Sequence, residues 1–346
     1  MLFRPNLSSK EEVETSIMSS QEKEQIAEST LRSMLSQRHT PCQLVSPSSP
    51  PAWLDKERCR AGQRYYLSNL VGVMVSNITA LLLGMCIPNF YRLLVITRQS
   101  HTRESAKYRY EDTAMFLHSW CSSTDCWEEG SDSARKIRRV NAMHRGVARK
   151  LRNKADLEAM VDKAFKDLGV DLDDLTDQDR ILMDDIATIK ENYQVPQEFL
   201  DYINNSTPFS QFDMTLVQAA FFFVLILFPD MVGARNDSDQ DLADFTHLWR
   251  AIGYYLGVED GNNPVLSSLE ETRALARMYY DRILKPCMLH LDKQSLYMAK
   301  TAATIKPGLD YHVIVYTGYR MAGFELEQLW NSFSWIQKIR YWVRIG

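Results

Sequence analysis

A chain of 346 residues with 45 % hydrophobic and 24 % charged side chains has ordinary globular usage and enough length to bury a large core. Its net charge of −4 at pH 7 excludes general nucleic-acid binding, which needs a basic surface to displace counterions from phosphates. Six cysteines without a Cys-x-x-Cys pair disfavour structural zinc; Cys121 and Cys126 would pair locally only in an exported chain, and free thiols are the simpler reading.

Residues 1–50 are rich in Ser, Glu and Gln. They carry one weak helical pattern, Ile26, Leu31, Met34 and Leu35, and end in the linker-like run Ser46 to Pro51. They are expected as a flexible polar tail, with 51–346 as one helical body. Phe3 to Leu7 is too short for the apolar core of a secretory signal, so the expected location is intracellular, cytoplasmic or at the endoplasmic-reticulum membrane. Leu70 to Ile87 carries no charge and sits at the lower limit for a membrane span. Ser76, Asn77, Thr79, Gly72 and Gly84 dilute it, which favours a buried core helix and leaves a single span as the alternative.

Further on, Arg109, Asp112 and Thr113 stand at i, i+3 and i+4 and so share a helix face that continues into Phe116 and Leu117. Such an arginine would stabilise negative charge on a bound group; a plain surface Arg–Asp pair is the alternative. From Ile137 to Leu151 the apolar positions Ile137, Val140, Val147 and Leu151 recur at helical spacing, and His144 falls into that series. Arg138, Arg139, Arg145, Arg149 and Lys150 take the remaining surface, so an otherwise basic helix turns an imidazole inward. A buried imidazole needs partners for both nitrogens: two hydrogen bonds, or one hydrogen bond and a metal or haem iron.

Leu157 to Leu168 forms another stripe, and Thr176-Asp177-Gln178-Asp179 reads as a capping box. Asp171 to Asp179 lacks the glycine and the closing glutamate of a calcium loop. Met214 to Pro229 is expected as one central helix, with Asp213 either capping it or serving as a buried partner for His144 or Arg250. Leu242 to Leu256 is a helix ended by Gly257, and Leu269 to Tyr279 another. Tyr311 to Tyr316 is the best short strand candidate, and Leu326 to Val343 the last helix. Phosphate loops, dinucleotide fingerprints, nucleophile elbows and His-Glu-x-x-His are absent from the sequence, which disfavours kinases, nucleotide dehydrogenases, α/β-hydrolases and zinc proteases.

Three stretches together resemble the catalytic domain shared by the endoplasmic-reticulum-bound oxygenase mpaB and the latex-clearing rubber oxygenases. They are Arg109-Tyr110-Glu111-Asp112-Thr113, then Arg139 to Val147 around His144, then Phe209-Ser210-Gln211-Phe212-Asp213-Met214 through Phe228-Pro229 to Leu248-Trp249-Arg250-Ala251-Ile252-Gly253-Tyr254-Tyr255-Leu256-Gly257. The resemblance implies an all-α, globin-reminiscent bundle holding haem b and using dioxygen on an apolar, isoprenoid or lipid-like substrate. It implies His144 as the proximal iron ligand and Arg109 and Thr113 on the distal side. Asp112 stands where some rubber oxygenases carry an iron-capping lysine, so cleavage of polyisoprene is not implied. Arg138 or Arg250 would meet a propionate, 70–87 and 214–229 would wall the haem slot, and His247 is the reserve ligand; His118, His290 and His312 are expected to be ordinary. Two other expectations stay open. One is a helical family member without the chemistry. The other is a membrane-associated interaction protein with Trp330, Trp335, Tyr341 and Trp342 at the interface.

Overall fold

The computed structural model describes residues 18–42, 49–123, 128–151, 154–235, 238–305 and 308–345. Cys126 and the Ser46–Ser48 part of the linker fall outside them. In chain order the α-helices are α1 (Ser20–Ser36), α2 (Lys56–Ser68), α3 (Leu70–Gly84), α4 (Pro88–Ile96), α5 (Arg103–Ser122), α6 (Asp132–Ala148), α7 (Lys154–Leu168), α8 (Asp177–Glu191), α9 (Gln197–Asn205), α10 (Gln211–Ala220), α11 (Phe223–Leu227), α12 (Asp239–Leu256), α13 (Leu269–Tyr279), α14 (Lys285–Met288), α15 (Lys293–Ala303), α16 (Tyr311–Met321), α17 (Glu327–Ser332) and α18 (Trp335–Ile345). The fold is all-α; the nearest approach to a sheet among the described residues is one isolated bridge, Pro41 to Ser210.

One continuous hydrophobic core runs from α1 to α18. Its tightest seam joins α2 and α12. A Cβ at Gly62 would run into the Asp244 carbonyl, so glycine lets the two backbones approach. Arg58 then ties the same seam to Asp244 at 2.8 Å.

The expectation of a tail over 1–50 fails within the described residues. Ser19 and Glu22 form a capping box that starts α1, and its weak apolar pattern is a true core face: Ala27, Leu31 and Met34 are fully buried. The helix packs on α13, and Glu28 meets Arg282 at 2.6 Å. Polar composition hid it because a short stripe of four apolar residues suffices for a helix docked on one side.

The expected strand Tyr311 to Tyr316 is instead the start of α16. Asp310 caps it, and apolar residues all round it are buried, so burial on every side overrides the β-preference of Val313, Ile314 and Val315. The single helix expected over 214–229 breaks into α10 and α11 at Phe221 and Phe222, where Phe221 stacks on Trp249 with ring centroids 4.7 Å apart. The last helix also breaks in two. Ser334 and Gln337 cap each other's backbone and open α18 afresh.

α3 packs against α11, α15 and α16. Among the described residues no single helix is long and apolar enough to cross a membrane; α2 and α3 would pass that test together but meet at 88°.

Candidate functional site

α5 and α6 pack against each other and set the spacing between Arg109 and His144. Thr102 and Ser131 cap their N-termini. The stripe read from the sequence is the inner face of α6: Ile137 is buried, and Val140, His144 and Val147 are half-buried. Asn141, one turn before His144, is fully buried and donates to the Leu256 carbonyl at 3.0 Å, which locks α6 to the end of α12.

His144 is the unusual histidine. Its Nδ1 is buried and has no hydrogen-bond partner among the described residues. The rings of His118, His247, His290 and His312 each have one. The imidazole stands edge-on to Phe209, with centroids 5.7 Å apart. Phe209 sits in the left-handed region at φ +60°, a conformation that bulky residues rarely adopt, and its carbonyl accepts from the Cys42 amide at 3.2 Å. Desolvation, and then the positive charge of Arg109, push the His144 pKa down to about 4. At neutral pH the ring is therefore an uncharged base with a buried, unused ring nitrogen.

Arg109 is the second unusual group. It is half-buried, and burial lowers its pKa from the usual value. Its Nη1 makes long contacts to Thr97 Oγ1 (3.5 Å) and Gln99 Oε1 (3.4 Å). Among the described residues no carboxylate pairs with it. A guanidinium in this position remains charged and attracts an anion or a developing oxygen charge. Thr113 lies on the same face, half-buried, and its hydroxyl donates to the Arg109 carbonyl at 2.9 Å. It is a helix back-bond, which leaves the oxygen's lone pairs but occupies its proton.

The remaining sequence candidates do not join this pair. Asp112 and Arg138 are exposed. At about 100° per residue Asp112 lies roughly 60–100° around α5 from Arg109 and Thr113, enough to turn it out to solvent. Arg250 and His247 line a separate cleft of about 520 Å³ with Arg58, Thr246, Leu266 and Ser268. There the Arg250 guanidinium lies over the Trp53 ring at 4.1 Å, and His247 Nε2 accepts from the Asp55 amide at 3.2 Å. Desolvation, chiefly, and the nearby arginines push the His247 pKa to about 4 as well, but its lone pair is already used. Another cleft, of about 480 Å³, is lined by Arg92, Glu158, Asp292 and neighbours; neither cleft borders His144.

Asp213 is not a partner of His144 or Arg250. It closes a capping box at the start of α10. One carboxylate oxygen accepts from Tyr202 Oη (2.8 Å) and Asn89 Nδ2 (3.2 Å), the other from the Ser210 amide (2.8 Å) and hydroxyl (3.0 Å). Burial raises its pKa against those four bonds, and no acceptor capacity is left for another group.

The donor set limits which group could bind here. Among the described residues no three His, Cys, Asp or Glu side chains gather as a metal site. A lone imidazole is too few ligands for a bare ion, whereas haem brings four nitrogens of its own and asks the protein for one. His144 has one ring nitrogen without a partner among the described residues, and Arg109 is a cation nearby, but neither of the two clefts borders His144. Phe209, Thr97 and Gln99 lie in loops, where no periodicity marks the side chains that meet His144 and Arg109.

No family model matches the chain, and neither a curated protein nor a solved structure matches it.

Proposed function

We propose that this chain is a haem b-dependent oxidoreductase, an oxygenase acting with dioxygen on an apolar substrate of isoprenoid or lipid-like type. The observation that carries the reading is His144: a neutral imidazole whose buried Nδ1 has no partner among the described residues, held within the field of Arg109. The resemblance of the Arg109–Thr113 and Arg139–Val147 stretches to the rubber-oxygenase family supports it.

When bound, the haem supplies the redox and dioxygen chemistry. The rest falls to the chain. Desolvation and Arg109 keep the His144 ring neutral, so one of its two nitrogens carries a lone pair that could bind a metal without the ring first losing a charge-bearing proton. Arg109 places a fixed positive charge in a partly desolvated region, where it favours negative charge developing on a reacting oxygen. Thr113 keeps a hydroxyl oxygen on the same face as an acceptor, its proton spent on the Arg109 carbonyl. Phe209 lies edge-on to His144, and Phe116, partly buried against the core, adds apolar surface on α5; both suit a substrate without polar groups.

The test is the absorption spectrum of the protein purified from cells given a haem precursor. The reading expects an intense Soret band and a pyridine haemochrome of b type, both lost or shifted in His144→Ala. A chain that stays colourless after haem is added refutes it. That outcome favours a second reading, a helical protein of the same architecture without the chemistry. Two observations speak for this alternative: neither cleft borders His144, and Asp112 is a solvent-exposed carboxylate where a capping lysine would stand.

A further inference from the structure

α18 leaves a large apolar surface bare. Its inner side is anchored by Tyr341, which is buried and packs edge-on against Tyr316 and Trp330, both at 5.2 Å. Its outer side carries Trp335, Ile336, Ile339, Trp342 and Val343, between 45 % and 79 % exposed. Placed at 100° per residue, these five form one uninterrupted arc of about 120°. Lys338 falls about 40° beyond one edge of the arc and Arg340 about 40° beyond the other. Lys338 lies over the Trp330 ring at 5.3 Å, and Arg340 reaches Asp310 at 3.5 Å while remaining about half exposed. The helix sequence contains no acid.

We infer that α18 docks this protein on the surface of an anionic membrane, lying in the interface rather than crossing it. The argument is one of matching chemistry. An apolar arc bordered on each side by a cation, with two tryptophans among its exposed residues, puts each group where a bilayer surface wants it. Hydrocarbon takes Ile336, Ile339 and Val343, the headgroup boundary takes Trp335 and Trp342, and anionic phosphates take Lys338 and Arg340. Among the described residues no single helix, α18 included, is long and apolar enough to cross a membrane. The whole chain carries a net charge of −4 and is repelled by such a membrane at long range, so apolar insertion supplies most of the affinity and salt weakens binding only mildly. The turn Asp230–Val232 packs against both α18 and α3. α3, which meets the same turn, also exposes apolar side chains, Val71 at 75 % and Met74 at 47 %. The inference does not rest on the haem reading: α18 would dock the colourless protein equally well.

The experiment is flotation of the full chain with vesicles of phosphatidylcholine containing roughly one-fifth phosphatidylserine, and with phosphatidylcholine alone. Tryptophan emission and its quenching by brominated acyl chains are read in the same samples. The inference expects flotation with the mixed vesicles, a blue shift, quenching, and weaker flotation with the neutral ones. Ile339→Glu puts a charge at the centre of the arc on an exposed position and loses at least about tenfold in partitioning. Met115→Glu on α5, an equally exposed change elsewhere, leaves partitioning unaltered. Far-UV circular dichroism confirms that both variants are folded. Absence of flotation, or Ile339→Glu floating as well as the parent chain, overturns the inference. So does sedimentation showing a dimer that Ile339→Glu converts to monomer, which would make the face an interface between two copies.

Discussion

Acidification tests the environment of His144 directly. In the unfolded chain its imidazole takes up a proton near pH 6.5; in the folded, haem-free chain desolvation and Arg109 delay this to about pH 4. Between those values the unfolded state binds more protons than the folded one, so stability is full above about pH 6.5 and falls as the pH drops towards 4. At 1.36 kcal/mol per unit, the whole shift is worth about 3 kcal/mol, and about 2 kcal/mol of it is already gone at pH 5. Urea unfolding of the parent chain and of His144→Gln at pH 7, 6 and 5 isolates the contribution, because His247 and the carboxylates titrate in both. The parent chain should lose about 2 kcal/mol more than the variant between pH 7 and pH 5. Equal acid sensitivity in the two chains would mean that the ring is not desolvated, and the argument for an unused buried nitrogen would fall with it.

Leu31→Ala should destabilise the chain by about 2–5 kcal/mol in urea titrations, because α1 is part of the core; a surface-like change of a few tenths would return 18–42 to the status of a tail. Asp213→Ala should cost about 3 kcal/mol or more, since it strands the Tyr202 hydroxyl, the Asn89 amide and the Ser210 amide in a buried place. The same variant, where it folds, should leave haem affinity unaltered, which a haem titration checks. Gly253→Ala should destabilise by about 1–3 kcal/mol: its new methyl collides with the Gln218 amide, which is already bonded to the Trp249 carbonyl (2.9 Å) and Asn263 Oδ1 (3.2 Å). A thermal melt unchanged from the parent would contradict that packing.

The parts of the fold that the sequence made legible are those written in local patterns. His144 on the inner face of α6 follows from its spacing to Val140 and Val147, and the Thr176–Asp179 capping box forms as its spacing requires. Where tertiary burial decides, the patterns mislead. Val313, Ile314 and Val315 look like strand residues because β-branching favours strands, yet a helix buried all round accepts them. The α17–α18 break depends on Ser334 and Gln337, a polar pair inside an amphipathic run that reads as continuous. The site divides in the same way. Helical spacing puts Arg109 and Thr113 together, but only the packing of α5 on α6 brings Arg109 within range of His144. No spacing separates Arg250 from His144, whereas the turn before α2 does, by holding Arg250 over Trp53.

Titration of the purified chain with hemin, followed at the Soret band, bears most directly on His144 as the iron ligand. The account predicts saturation at one haem per chain, a spectrum unaltered in His247→Ala, and loss or displacement of the band in His144→Ala. A His144→Ala chain that binds hemin with the affinity and spectrum of the parent would contradict it.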